Sequence, residues 1–467
     1  MKHFSDEQMD AELKPYEQMK DSGVEWLGEV PEHWEVRSLG RIGTFSKGKG
    51  GSKEDERQSG VPCIRYGDLY TTHQHFIHAP RSYVSKKRSA HYTLIEYGDV
   101  LFAASGETTE EIGKSAVNLI RSDVCCGGDI ILFRPNRAIS PKYLGYATDS
   151  RPAVAQKSLM GRGFTVVHIY TSQLKQLCLA LPPHPEQKAI ARFLDHAIGE
   201  IGRYIRAKEK LIALLEEQKQ VIIHDAVTGR INVHTGKPYP DYKPSGVQWL
   251  DTIPSHWEVR KLWWLYQRHG SGTTPSQDYH FEGPVPWVMS GDLNDGIVET
   301  TTRTVSKRAV NEISTLKLYP PLSLVIAMYG ATIGRTGVLA DYACTNQACF
   351  VLADPYPHTN TAFYQMVLVA AKKELSAASF GGGQPNINAE VVKQFRVPLP
   401  PVSEQTDIVN RSRHAISGID TRISQEQSQV ILIREYRARL IADVVSGKLD
   451  VREAAKALPD DVAEANP

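Results

Sequence analysis

The sequence predicts an α/β (α+β) chain. Two similar globular domains stand in tandem, each followed by a long helix, and the two helices pair as an antiparallel coiled coil about a pseudo-twofold. Three observations predict this. First, Ser22-Gly23-Val24-Glu25-Trp26-Leu27 and Pro31-Glu32-His33-Trp34-Glu35-Val36-Arg37 return as Ser245-Gly246-Val247-Gln248-Trp249-Leu250 and Pro254-Ser255-His256-Trp257-Glu258-Val259-Arg260, both displaced by 223 residues (22 to 245, 37 to 260). Second, Lys14-Pro15-Tyr16 returns as Lys237-Pro238-Tyr239. Leu181-Pro182-Pro183 and Glu186-Gln187 likewise return as Leu399-Pro400-Pro401 and Glu404-Gln405, now displaced by 218 (186 to 404). Third, one apolar stripe follows each Leu-Pro-Pro. A period near 220 residues is far too long for a solenoid unit, so it marks a duplicated domain with its connector.

In chain order, residues 1–20 form a polar, charged N-terminal segment without the apolar stretch of a secretory signal. Residues 21–185 read as the first globular domain. Its short β-like runs are Val61 to Tyr66, Asp99 to Phe102 and Ile130 to Phe133. A long helix and linker are expected over 186–243. Its apolar positions Ile190, Leu194, Ile198, Ile201, Ile205, Ile212, Leu215, Ile222 and Ala226 step by three, four or seven. Residues 244–403 repeat the globular domain, with runs Val285 to Met289, Leu322 to Ile326 and Ala348 to Leu352. The C-terminal helix is expected over 404–451. There the stripe returns as Ile408, Ser412, Ile416, Ile419, Ile423, Val430, Ile433, Leu440 and Val444. A helix of about 40 residues is about 60 Å long and cannot bury such a stripe alone. Pairing of the two helices through Ile198, Ile201, Ile205, Ile212 and Leu215 with Ile416, Ile419, Ile423, Val430 and Ile433 satisfies both. Gly229 and Gly447 follow the helices at the position of a C-terminal cap. Residues 452–467 are expected to be a disordered tail.

Composition bounds the function. The chain has 467 residues, 41% hydrophobic and 23% charged, with a net charge of +1. It is therefore no polycation, and any nucleic-acid contact must come from local patches. No run approaches the roughly 18 apolar residues of a membrane span. The six cysteines show neither Cys-x-x-Cys nor zinc spacing, as expected of buried thiols in a cytoplasmic protein.

The order of several segments resembles the specificity subunit of type I restriction–modification systems, over most of the chain. These are Ser22 to Arg37 with its echo Ser245 to Arg260, Gly270-Ser271-Gly272-Thr273-Thr274-Pro275, Val285 to Leu293, Gly381-Gly382-Gly383-Gln384-Pro385-Asn386-Ile387, and Val397 to Gln405 running into a long helix. The first half departs further, with Ser46 to Gly51 in place of the Gly-Thr-Thr-Pro turn and Gly161 to Thr165 in place of Gly-Gly-Gly-Gln-Pro-Asn. The resemblance implies two target-recognition domains, each reading half of an asymmetric, bipartite site in double-stranded DNA, with the paired helices setting the unread spacer. It also implies that methyltransferase subunits dock on the helices and restriction/translocase subunits join them. S-adenosylmethionine and ATP would belong to those partners, with no cofactor and no catalytic residue on this chain. The residues nominated at DNA are Lys47, Lys49, Arg65, Tyr66, Asp68, Lys86, Lys87, Lys114, Arg162 and Thr165 in the first half. In the second they are Ser271, Thr273, Ser290, Asp292, Asn294, Lys307, Tyr329, Arg335, Gln384 and Asn386.

Other chemistry is weighed against this. Ile112-Gly113-Lys114-Ser115 lacks the glycine a phosphate-binding loop needs at position 108, which is Thr. Ile333-Gly334-Arg335-Thr336 repeats the turn, so Lys114 and Arg335 read either as structural or as phosphate contacts. His73, His75 and His78 lack a carboxylate or Cys at ligand spacing and read as an exposed loop rather than a metal site. Trp26, Trp34, Trp249 and Trp257 read as core. A self-contained methyltransferase–endonuclease would need an Asn/Asp-Pro-Pro-Tyr/Phe turn, which neither Tyr319-Pro320-Pro321-Leu322 nor Asp354-Pro355-Tyr356-Pro357 supplies. The specificity subunit of a stand-alone or type IIG-like methyltransferase assembly is the alternative reading. A coiled-coil adaptor would not need two large, divergent domains.

Overall fold

The computed structural model describes residues 13–459 apart from Ser52, Arg137, Phe164 and 378–385. The chain divides into two compact units, residues 1–208 with 428–467 and residues 209–427, so each unit holds one globular domain and a stretch of both long helices.

In unit 1 the main sheet has the strand order Gly43–Lys47, Ile130–Pro135, Val100–Ala103, Ser115–Asn118, Phe76–Ile77. Unit 2 repeats it as Tyr266–Ser271, Cys349–Pro355, Leu324–Ala327, Thr336–Leu339, Gly296–Val298. The register is repeated as well. Val100 pairs with Phe133 and Val117, and Leu324 pairs with Leu352 and Val338. Both central strands are apolar throughout because both faces are covered. Side chains alternate across a strand, so Val100 and Phe102 enter the core that holds Tyr143 and Leu144 of the helix Pro141–Thr148. Leu101 and Ala103 enter a second core with Ile64, Ile95 and Val124 of a smaller sheet. Unit 2 divides the same way, with Leu324 and Ile326 on one side and Val325 and Ala327 on the other.

The long helices run His184–Val227 and Val402–Val445, each 44 residues and each starting two residues earlier than the repeat indicates. They pair antiparallel in each unit. In unit 1, Lys208 Nζ donates to Gln429 over 2.8 Å, while Ile190 and Leu194 share a core with Leu440, Val444 and Val445. In unit 2, Lys219 pairs with Asp420 at 2.6 Å, and Ile223, Ala226 and Val227 share a core with Ile408 and Val409. Along the stripe Ile205, Ile423 and Val430 are buried, and Ile198, Ile201, Ile212, Leu215, Ile416, Ile419 and Ile433 are half-buried.

Both ends of these helices meet one joint per unit. Glu186, in the first turn, accepts hydrogen bonds from Tyr16 Oη and, at 3.1 Å, from Trp34 Nε1, with His33 Nε2 at 2.9 Å. Glu404 takes the same three partners from the second copy: Tyr239, Trp257 and His256. The neighbouring Gln187 accepts from Ser140 N–H and donates to the Pro182 carbonyl, and Gln405 does the same with Asn360 and Pro400. The opposite helix ends on the same joint. Gly447 packs on Pro31 and Trp34, and Gly229 on Pro254 and Trp257. Just beyond these glycines, Asp450 N–H donates to the Lys14 carbonyl and Asn232 N–H to the Lys237 carbonyl, each at 2.8 Å.

Two expectations are corrected. Trp34 and Trp257 are core, and Trp249 stacks on Phe395, but Trp26 is 40% exposed. The tail expected from 452 begins as a helix, Arg452–Ala457, with the Arg452 guanidinium over the Tyr16 ring.

Gly447 has φ +77, and a Cβ there would lie 2.2 Å from Pro31 Cδ. Gly447→Ala should therefore lower the unfolding free energy by about 2–4 kcal/mol, combining the left-handed backbone with overpacking. Gly23→Ala, at φ +67 with no atom within 4 Å, should cost only about 1–2 kcal/mol. Chemical denaturation of the two variants compares them directly.

Candidate nucleic-acid interface

The main sheet of each unit delivers its loops to one end. In unit 1, Gly48 N–H donates to Ile130 carbonyl, Gly128 N–H to Gly50 carbonyl and Ala104 N–H to Asp129 carbonyl, so segments 48–51, 104–113 and 127–129 lie together. Tyr70 Oη donates to Ser105 carbonyl, bringing in the helix Tyr66–Thr71. Strand Val167–His168 pairs with Ser105–Gly106 and brings in Arg162 through its bridge to His168. Unit 2 repeats the plan. Thr273 N–H donates to Thr345 carbonyl, Met328 N–H to Ala348 carbonyl and Ile387 N–H to Met328 carbonyl. A Cβ on Gly48 would lie 2.0 Å from Gly127 O, and one on Gly272 would lie 1.8 Å from Thr345 O. Only glycine allows that approach, which explains the glycine that both turns retain.

This end gathers exposed Lys47, Lys49, Tyr66, Arg162 and Thr165 in unit 1, with half-buried Arg65 held at 3.1 Å from Glu56. In unit 2 it gathers exposed Asn294, Tyr329, Arg335 and Asn386 with half-buried Ser271, Thr273 and Ser290. Lys86, Lys87 and Lys307 are exposed elsewhere, at the starts of the helices Lys86–Ser89 and Lys307–Glu312. Gln384 lies outside the described residues.

Several of the nominated side chains are engaged within the protein itself. Asp68 and Asp292 accept backbone N–H groups of Arg65 and Met289, at 2.9 and 2.8 Å, and so close two matching turns. Lys114 pairs at 2.6 Å with the buried Asp149 carboxylate, whereas Arg335 in the same turn of unit 2 is exposed. Of the three clustered histidines only His78 is exposed. His73 is buried and His75 lies 3.3 Å from Asp149. Among the described residues no group of three or more His, Cys, Asp or Glu could hold a metal ion.

Sequence reading missed Lys157, which is fully buried. Its ammonium donates to the carbonyls of Gly113 and Thr148, at 2.7 and 3.0 Å, so it holds the Gly-Lys-Ser turn from beneath. Unit 2 holds its turn with Asp295, which accepts from Thr336 N–H at 2.8 Å and pairs with Lys372. Asp149 is held down to about 2: burial opposes this, but His75, Lys157 and Lys114 outweigh it. Burial lowers Lys157 from 10.5 to about 8 despite Asp149.

The sign of that shift gives a prediction. Between about pH 8 and 10.5 the unfolded chain binds the Lys157 proton and the folded chain does not. Stability from this group therefore rises with pH across that window. Thermal melting of the parent should gain on Lys157→Met as pH climbs from 8 to 10.5. Parallel pH dependences would contradict it.

Comparison with known proteins agrees with this geometry. The Type I restriction modification DNA specificity domain matches residues 31–211 and 254–427. The EcoKI specificity subunit of Escherichia coli K12 is 21% identical, with 92% of each chain covered. The MjaVIII specificity subunit of Methanocaldococcus jannaschii is 24% identical over 91% of this chain and 94% of its own. A solved chain described under complex assembly and conformational transition of the type I R-M system shares the fold, with TM-score 0.67, 16% identity and coverage of 90% and 99%. With both domain copies matched, the chain belongs to the family of type I restriction–modification DNA specificity proteins.

Proposed function

We propose that this chain is the sequence-reading subunit of a type I restriction–modification complex. Each unit reads one half of an asymmetric, bipartite site in double-stranded DNA, and the paired helices set the unread spacer. The observation that carries this reading is an unchanged frame bearing changed loops. Strand order, register, joint and turn glycines repeat, while the exposed side chains at the loop end do not. In unit 1 the segment Gly106 to Gly113 carries Glu107, Glu110 and Glu111, where the shorter Gly330 to Gly334 has no charge. Two half-sites of different sequence require that division, because base edges must be met by different donors and acceptors from a common register.

The chain carries no chemistry of its own. Methylation of adenine from S-adenosylmethionine and ATP-driven cleavage belong to methyltransferase and restriction subunits. The helices offer the methyltransferase subunit a face. In unit 1, Ile431 and Leu432 are 65% and 67% exposed, with Tyr204 and Tyr436 also exposed. In unit 2, Leu214 and Val221 are exposed on the first helix. Large apolar side chains left in solvent along a helix suit burial against a partner's apolar face. Backbone contacts to phosphate supply most of the affinity and make it salt-dependent, so Lys47 and Lys49 act as general anchors.

Spacer length gives the test. Four residues inserted after Lys208 and four after Gln427 lengthen both helices by about 6 Å while keeping them paired, which is close to two base pairs at about 3.4 Å each. Methylome sequencing of a host carrying the complex should find the same two half-sites with a spacer longer by one or two base pairs. Changed half-sites with the old spacer would refute the assignment of ruler and reader.

A further inference from the structure

Ser105 and His168 stand opposite each other on a two-residue antiparallel pair in unit 1. Tyr329 and Asn386 stand opposite each other at the matching bridge of unit 2. The backbone around the two pairs is alike. Ile169 N–H donates to Ala104 carbonyl over 3.0 Å and Ile387 N–H to Met328 carbonyl over 2.9 Å, and both isoleucines are buried. The outward side chains are chemically unlike: hydroxyl and imidazole against phenol and carboxamide. His168, Tyr329 and Asn386 are exposed at the loop end and Ser105 is half-buried. A position whose backbone is held the same way twice, and whose exposed chemistry changes, has the properties of a reader.

The geometry of unit 1 also orients its reader. Ser105 Oγ lies 3.0 Å from His168 Nδ1. A hydroxyl donating there leaves Nε2–H as the outward donor. Guanine presents two acceptors, N7 and O6, on its major-groove edge. Adenine presents an acceptor beside a donor, which a carboxamide matches with both of its groups. Each pair has an exposed cation in its own loop for the adjoining phosphate. Arg162 bridges to His168 by backbone, and Arg335 closes the turn that begins at Tyr329.

We propose that His168, oriented by Ser105, and Asn386, beside Tyr329, are matched base-reading residues, one in each unit. His168 takes a guanine edge in one half-site, and Asn386 takes an adenine edge in the other. This rests on the reading of the chain as a DNA reader.

The test uses the chain assembled with the methyltransferase subunit of its own system. Its probes are duplex oligonucleotides that carry the methylated motif with each base pair substituted in turn, and competition binding reads discrimination even where methylation is lost. His168→Ala, which removes a single donor, should lose about 2- to 12-fold of discrimination at one G·C pair of one half-site and leave the other half-site unchanged. Ser105→Ala should give a smaller loss at the same base pair, and Asn386→Ala a loss at an A·T pair of the opposite half-site. Both side chains are exposed, so melting curves should match the parent. Variants that discriminate like the parent at every position would overturn the proposal, as would an equal loss of affinity for all sequences. A parent that prefers no motif would sink the wider reading with it, which separates the two failures.

Discussion

A carboxylate at the first turn of each long helix, buried at Glu186 and half-buried at Glu404, is the constraint on which the remaining architecture depends. Glu186 and Glu404 each draw in a tyrosine, a histidine and a tryptophan from the segment just before the main sheet of its unit. Hydrogen bonds to an ionised acceptor are about twice as strong as neutral ones and demand close geometry. Their effect is visible on Tyr16 and Tyr239, whose hydroxyls burial and then the carboxylate hold protonated far above the usual range. The same tryptophan that donates to the glutamate also receives the glycine that ends the other helix. One small polar cluster thereby sets where one helix begins and where its partner stops.

Most of this frame was legible because the duplication exposes it. Lys-Pro-Tyr, Pro-x-His-Trp, Glu-Gln and the terminal glycine are the residues that recur, and they are the residues that meet at the joint. The helical stripe was legible for a similar reason, since a face to be buried leaves a period in the sequence. What could not be read depends on partners far along the chain. Lys114 looks like any turn lysine until the fold brings Asp149 to it. His75 finds the same carboxylate, and Lys157 lies on a helix with nothing to advertise its burial. Asp68 looks like a hydrogen-bonding group for DNA, yet it turns back on its own backbone three residues away. Trp26 repeats as faithfully as Trp34 but lies outside the cluster.

The candidate reading surface was legible as a set of segments and less so as a set of side chains. Glycines at 48 and 272 mark it from sequence, because close backbone approach excludes a Cβ there. Which neighbours face outward follows from strand pairing instead. Ser105 and His168 lie 63 residues apart, and no local pattern joins them. Comparing two copies in one chain replaces what periodicity cannot supply: shared backbone bonds identify the frame, and unlike exposed side chains identify where discrimination can reside.

The most direct measurement of the joint is hydrogen exchange across both long helices in Glu186→Gln. A joint that fastens the start of one helix and the end of the other should release both together. Amides in the first turns of the helix that starts at His184 and in the last turns before Val445 should then lose protection to a similar degree, although only one helix carries the substitution. Loss confined to the first turn around Glu186, with the end at Val445 as protected as in the parent, would contradict the account.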